Sequence, residues 1–292
     1  MRKDIGVEGY RNGTIHAGKG AKGTAILVVS FGTSHNEKHG FTIGAVERSI
    51  AQAFPDYEVR RAFASQMIIA KLKERDGMET DSVGQALDRA AADGIADLVV
   101  QPTYLTEGRE YINLADTLKG CKDRFRQVAI GKPLLSDDAD YEAVIKYITD
   151  RAEPHIDGRT AVCLMGHGTE GGSGYVYTKL QEKMVLAGHK NYYIGALKGK
   201  PMLEDIMAAL EKAESYKKVF LAPLMVVAGV HAYNDMAGTG TNSWKTILER
   251  RGYEVECLFE GLGQSEAVRS IYVKHVQEAF GSLNGYYRPE SL

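Results

Sequence analysis

Cysteine is scarce in this sequence. Cys121, Cys163 and Cys257 are the only three in 292 residues, and no two stand in C-x-x-C spacing. That excludes a disulfide framework and a cysteine-ligated zinc site; Cys163, inside an apolar run, reads as a small core residue. An excess of one charge is missing as well. The 36 Lys and Arg stand against 38 Asp and Glu, a formal net charge of −2, without a long basic or acidic run. Neither nucleic acid nor an anionic membrane surface is therefore expected as the main partner. No apolar stretch approaches a membrane span, and the opening MRKDIGVEGYRNGTIHAGKGAKG has no apolar h-region, so neither membrane insertion nor export is expected and the cytoplasm is the expected location. The segment Ser30-Phe31-Gly32-Thr33 resembles a phosphate loop only superficially. It has neither the GxxxxGK[ST] nor the GxGxxG pattern, and no nucleotide is expected there. No nucleophile elbow surrounds a Ser at the Gly-His-Gly segment, which leaves a hydrolase triad without support.

What is present is an ordinary globular composition, 44% hydrophobic and 25% charged, at a length that suggests about two domains. Short apolar runs at 25–29, 57–62, 98–101 and 127–131 alternate with helical periodicity at 42–55, 66–73, 82–94, 110–118 and 141–153. The second half repeats the alternation, with strands expected at 161–165, 191–197, 219–221 and 254–259 and helices at 174–187, 201–213, 243–251 and 265–280. Ser82 reads as a helix cap, Gly94 as a stop and Pro201 as a first-turn residue. This spacing predicts an α/β fold: two similar domains, each a parallel sheet flanked by helices, with a cleft between them. The expected organisation is a flexible leader at 1–23, an N-terminal α/β domain at 24–153, a C-terminal α/β domain at 154–280 and a tail at 281–292.

The chain is organised around Thr160 to Gly174, TAVCLMGHGTEGGSG. A buried strand is expected to end there in a turn that lifts His167 from its carboxyl end, the edge at which open α/β sheets bind ligands. The first half echoes it: Thr24 to Ser34 aligns without gaps, placing Phe31 opposite His167, Gly32 opposite Gly168 and Thr33 opposite Thr169. A second pair repeats the relation, since Leu98 to Tyr111 matches Val219 to Tyr233 with Pro102 opposite Pro223, Gly108 opposite Gly229 and Glu110 opposite His231. Two matches in one order indicate a duplicated domain. The polar tips differ, Phe31 and Glu110 in one half against His167 and His231 in the other.

Two neutral imidazoles with a carboxylate suit a borderline divalent ion such as Co²⁺, Ni²⁺, Fe²⁺ or Zn²⁺, and are too nitrogen-rich for Mg²⁺ or Ca²⁺. His167, His231 and Glu110 are thus the candidate catalytic residues, with His167 and His231 as metal ligands. Tyr104, Met225, Val226 and Val227 offer apolar surface for a flat ligand, or belong to the core.

MGHGT at the end of its strand, AGVHAYNDMAG followed by SWK, GREY at Gly108 to Tyr111 and the late GLGQSEAVR resemble the class II chelatases, closest to the anaerobic cobaltochelatases of the CbiK type. The likeness runs from about Thr24 to Phe280. It implies two α/β domains of the chelatase fold, a tetrapyrrole substrate, and insertion of Co²⁺, itself a substrate, into sirohydrochlorin on the anaerobic cobalamin route. It further implies metal binding by His167 and His231, with Glu110 as the family's glutamate. Phe31, Gly32, Thr33, Tyr104, Met225 and Lys198 are the candidate tetrapyrrole-binding positions. Iron or nickel insertion, metal removal, and a non-catalytic tetrapyrrole or metal carrier remain alternatives, and a homo-oligomer is left open. The chain departs from the family pattern in three places: Lys198 where a glutamate is usual, Val230 where an aspartate often precedes the second His, and the stretch Thr239-Gly240-Thr241-Asn242 in place of an acidic one. A lysine charge about 4 Å from a dication is repelled by several kcal/mol at an effective dielectric near 20. Lys198 is therefore expected to point away, to be neutral through burial, or to serve a substrate carboxylate.

Overall fold

The computed structural model describes residues 13–18, 21, 23–34, 36–168 and 174–283. Most of the expected leader, Thr169 and residues 284–292 of the expected tail lie outside the described residues. The chain divides into two compact units, residues 1–134 with 269–292, and residues 135–268.

Unit 1 holds a five-stranded sheet. Its strands are β1 (Thr14–His16), β2 (Thr24–Ser30), β3 (Glu58–Phe63), β4 (Asp97–Pro102) and β5 (Gln127–Ile130), in the order β1-β3-β2-β4-β5. Strands β2 to β5 are parallel, and β1 runs antiparallel along β3. Every residue of β4 is buried, as expected of a strand covered on both faces. The helices are α1 (Asn36–Phe41), α2 (Ile43–Ala53), α3 (Gln66–Asp76), α4 (Val83–Ala92) and α5 (Arg109–Lys119). On α2, Ile43, Val46 and Ile50 form the buried stripe, and the buried Glu47 on the same helix pairs with Arg61 of β3. Ser82 caps α4 as the sequence predicts, and with Gln85 it forms a capping box.

Unit 2 repeats the plan. Strands β6 (Thr160–Gly168), β7 (Tyr192–Lys198), β8 (Lys218–Leu224) and β9 (Glu254–Cys257) are all parallel, in the order β7-β6-β8-β9. Its helices are α6 (Asp138–Ala152), α7 (Gly174–Leu186), α8 (Leu203–Ala213) and α9 (Trp244–Arg250). Without β1, the first sheet reads β3-β2-β4-β5, which is the same topology with β2 in the place of β6 and β4 in the place of β8. The duplication seen in the sequence is thus present in the strand order. The core of unit 2 gathers Cys163, Met165, Ile206, Leu221, Trp244 and Leu248, and burial drives the Cys163 thiol pKa well above its usual range.

The structure differs from the expected organisation at three points. Residues 14–16 are not leader but the edge strand β1, held by backbone pairing of Thr14 with Arg60 and His16 with Val59. The unit boundaries differ from 24–153 and 154–280 because the terminal helices of the two halves pack elsewhere. Helix α6 belongs to unit 2: Asp138 pairs with Lys179 and Lys183 of α7, and Arg151 with Glu260. The last helix, α10 (Glu266–Leu283), belongs from residue 269 onward to unit 1. There Phe280 packs on Phe54 and Tyr57, and the Tyr272 hydroxyl donates to the Tyr104 carbonyl at 3.3 Å. Third, α8 begins at Leu203 and not at Pro201, because the Asp205 carboxylate accepts the Met202 N–H at 2.8 Å and sets the first turn there.

Candidate metal centre

Strand β6 runs further than its apolar segment predicts. Pairing with β7 continues through Gly166 with Ala196 to Gly168 with Lys198, so His167 lies inside the last stretch of strand and not on a turn beyond it. The flanking glycines explain how. A Cβ on Gly166 would lie 2.5 Å from the Tyr177 ring, and one on Gly168 would lie 1.8 Å from the Lys198 carbonyl oxygen. Gly168 also has φ +71°, a conformation that costs little only for glycine. These glycines serve the packing of Tyr177 and β7 against the strand end. The Tyr177 hydroxyl accepts the Gly168 N–H at 3.1 Å and fixes the tip.

His167 is half-buried, and its Nδ1 lies 2.8 Å from the Gly168 carbonyl oxygen. A carbonyl only accepts, so Nδ1 carries the proton and the ring's lone pair is on Nε2. His231 follows β8, the strand next to β6, and stands just ahead of a single π-helical turn, Ala232–Met236. The Ala237 N–H reaches back five residues to the Ala232 carbonyl at 3.2 Å. Such widened turns are frequent at functional sites. His231 Nδ1 is 2.7 Å from Asp235 Oδ2; the carboxylate accepts, and again the lone pair falls on Nε2.

The two rings lie with centroids 4.9 Å apart and planes at 65°. Metal–imidazole bonds of about 2.0–2.1 Å put a ring centroid roughly 3.2 Å from the ion, so two ligands at right or tetrahedral angles have centroids about 4.5–5.2 Å apart. The observed separation falls in that range. The two histidines, 64 residues apart in sequence by their numbers, are brought together from the end of β6 and from the segment that follows the adjacent strand β8.

Met225 directly follows β8 and is half-buried, its carbonyl accepting the Leu262 N–H at 2.8 Å. Val226 and Val227 are half-buried beside it. Lys198 is exposed at the end of β7, beside Gly168 in register; of the three expected outcomes, burial is removed. Tyr175, Met202, Val230 and Tyr233 are exposed large apolar side chains on the segments that follow β6, β7 and β8, and the Tyr233 ring stacks on Phe259 at 4.8 Å.

The remaining candidates belong to unit 1. Phe31 is 48% exposed just past β2, while Thr33 and Tyr104 are buried. The tips of β2 and β4 are tied by the Thr103 hydroxyl donating to Ser30 Oγ at 2.7 Å. Tyr104 packs in the core of unit 1, and its buried hydroxyl makes no hydrogen bond among the described residues. Burial first, then the Glu110 charge, holds that phenol pKa above its usual value. Glu110 is in the first turn of α5, behind the Gly108 cap, where a carboxylate suits the helix dipole. Sequence reasoning missed Asp235 and Tyr177. The four-residue spacing of His231 and Asp235 was the available signal for the first, since i and i+4 share a helical face; the second had none.

A pair of imidazoles at the carboxyl edge of a parallel sheet, 4.9 Å apart by their centroids, has the donor chemistry that a borderline divalent ion prefers. Two solved structures show the same fold. SirB from Bacillus subtilis with Fe³⁺ superposes with a TM-score of 0.61 at 14% identity, covering 90% of this chain and 98% of that one. CbiX, titled the terminal enzyme for biosynthesis of siroheme in denitrifying bacteria, gives 0.54 at 16% identity over 87% of this chain and 99% of that one. The chain belongs to the cobalt chelatase (CbiK) family, which matches residues 24–281. Among curated relatives, the sirohydrochlorin cobaltochelatase of Salmonella typhimurium is 35% identical over 255 residues, 87% of this chain and 96% of that protein. The sirohydrochlorin cobaltochelatase CbiKC of Nitratidesulfovibrio vulgaris is 30% identical over 265 residues, 89% of this chain and 91% of that protein.

Proposed function

We propose that this protein inserts Co²⁺ into sirohydrochlorin. The observation that carries the reading is the His167–His231 pair, whose centroids are 4.9 Å apart and whose Nδ1 atoms are both engaged, so that both lone pairs fall on Nε2. The family membership and the names of the relatives supply the substrate and the metal.

Insertion removes two pyrrole N–H protons and brings a partly dehydrated dication to four ring nitrogens. His167 and His231 hold the ion through Nε2 and pass it to the macrocycle. As each nitrogen releases the metal its lone pair returns, and the imidazole becomes a base for one of the displaced protons. Glu110 is the further proton acceptor. The exposed apolar side chains Tyr175, Met202, Val230 and Tyr233 suit the flat face of a tetrapyrrole, and the exposed Lys198 serves one of its peripheral carboxylates. Binding orients the ring toward the ion, which replaces a bimolecular encounter by a positioned transfer.

An anaerobic assay of sirohydrochlorin with Co²⁺, Fe²⁺ and Ni²⁺ in turn, followed by absorbance, tests the reading. Turnover fastest with Co²⁺ is expected. Turnover with none of the three, while the macrocycle still binds, would replace it by a carrier.

A further inference from the structure

The two imidazoles are anchored in different ways. His167 donates to a main-chain carbonyl of its own strand, a partner that no substitution removes. His231 is on the segment after β8, with 46% of its side chain exposed, and the hydrogen bond at its Nδ1 goes to a side chain, Asp235, itself 47% exposed. An exposed imidazole without such a partner exchanges its proton between Nδ1 and Nε2 and turns about its side-chain torsions. The π-helical turn from Ala232 to Met236 places the carboxylate four residues on, at 2.7 Å.

We propose that Asp235 is the positioning residue of the metal centre: its carboxylate locks His231 in the Nδ1–H tautomer and orients Nε2 toward the ion. The inference rests on the reading of His231 as a cobalt ligand. Carboxylate–imidazole pairs of this kind raise the basicity of the ligating nitrogen and hold the ring in place. The negative charge has a second use here. Asp235 offsets part of the dication's charge without occupying a coordination position.

The test uses the full-length protein and its Asp235→Ala and Asp235→Asn variants. Long-range ¹H–¹⁵N NMR of the metal-free protein reads the His231 tautomer directly. The Nδ1–H form is expected in the native protein and a mixture, or the Nε2–H form, in both variants. Titration with Co²⁺ alone, followed by visible absorbance, is expected to show affinity weakened about 10- to 100-fold in Asp235→Ala. The KM for Co²⁺ should rise with it, while the KM for sirohydrochlorin and the thermal midpoint stay near native. Asp235→Asn has the same size and serves the same comparison should the alanine variant fold poorly. An unchanged tautomer, or a Co²⁺ affinity within twofold of native in the folded variant, would overturn the inference. Failure of the native protein to bind Co²⁺ would instead sink the assigned function, and the tautomer measurement would still decide what Asp235 does.

Discussion

Gly168 shows how much of the centre depends on single side chains, or on their absence. Its left-handed φ and its approach to the Lys198 carbonyl mean that Gly168→Ala must push β7 from the end of β6. A loss of about 2–3 kcal/mol in stability is expected, with weaker Co²⁺ binding because His167 precedes it. Chemical denaturation checks this, and a native midpoint would contradict it. Lys198 makes a milder case. On its proposed role as an exposed cation for a substrate carboxylate, Lys198→Ala should raise the sirohydrochlorin KM only about two- to fivefold and leave the Co²⁺ KM unchanged. Steady-state kinetics varied in each substrate separates the two. A change confined to Co²⁺ would place the lysine at the ion instead. The histidines themselves were legible in the sequence, since glycines flank one and the internal repeat singles out the other. Asp235 was less so: its four-residue spacing from His231 was visible, but the widened turn that brings its carboxylate to the ring was not.

Among the elements, the strands covered on both faces are written plainly in the chain. β2, β4, β6 and β8 are nearly continuous apolar runs because both faces are buried, and their ends are marked by polar residues. β1 is three residues of a polar, glycine-rich segment, and only the edge of β3 makes it a strand. α1, with the sequence NEKHGF, has no apolar stripe to read. It nevertheless delivers His39 to a confined place beside Phe63. Burial, then the charges of Arg61 and Arg48, lowers the His39 pKa from 6.5 to about 3. The folded protein therefore refuses a proton that the unfolded chain accepts. The sign follows: stability is intact above about pH 6.5 and falls as pH drops below it, by about 1 kcal/mol per pH unit, until the folded pKa is reached. Denaturation midpoints between pH 7 and 5 should show this slope in the native protein and a shallower one in His39→Gln. Equal slopes would mean that other groups set the acid sensitivity.

For the whole molecule, strand order repeats while the helices at the ends of the two halves do not stay with their own sheets. The sequence shows the first through its two aligned stretches. It conceals the second, because α6 and α10 have ordinary helical patterns and nothing local says which sheet each will cover. Unit 1 consequently depends on the last helix in the chain. Phe280 meets Phe54 and Tyr57, and Tyr272 is fully buried. Phe280→Ala should cost about 3–5 kcal/mol, read as an earlier denaturation transition, with Co²⁺ binding under native conditions preserved because both histidines belong to unit 2. Coupled loss of Co²⁺ binding in the folded variant would contradict that separation. Among the described residues no helix is long and apolar enough to cross a membrane.

The central claim is that His167 and His231 hold one ion between them for transfer to a tetrapyrrole. The most direct measurement follows sirohydrochlorin absorbance anaerobically with Co²⁺ for the native protein, His167→Ala and His231→Ala. Both variants are expected to bind the macrocycle with near-native affinity and to lose insertion by at least about 100-fold. Native insertion rates in either variant would contradict the account.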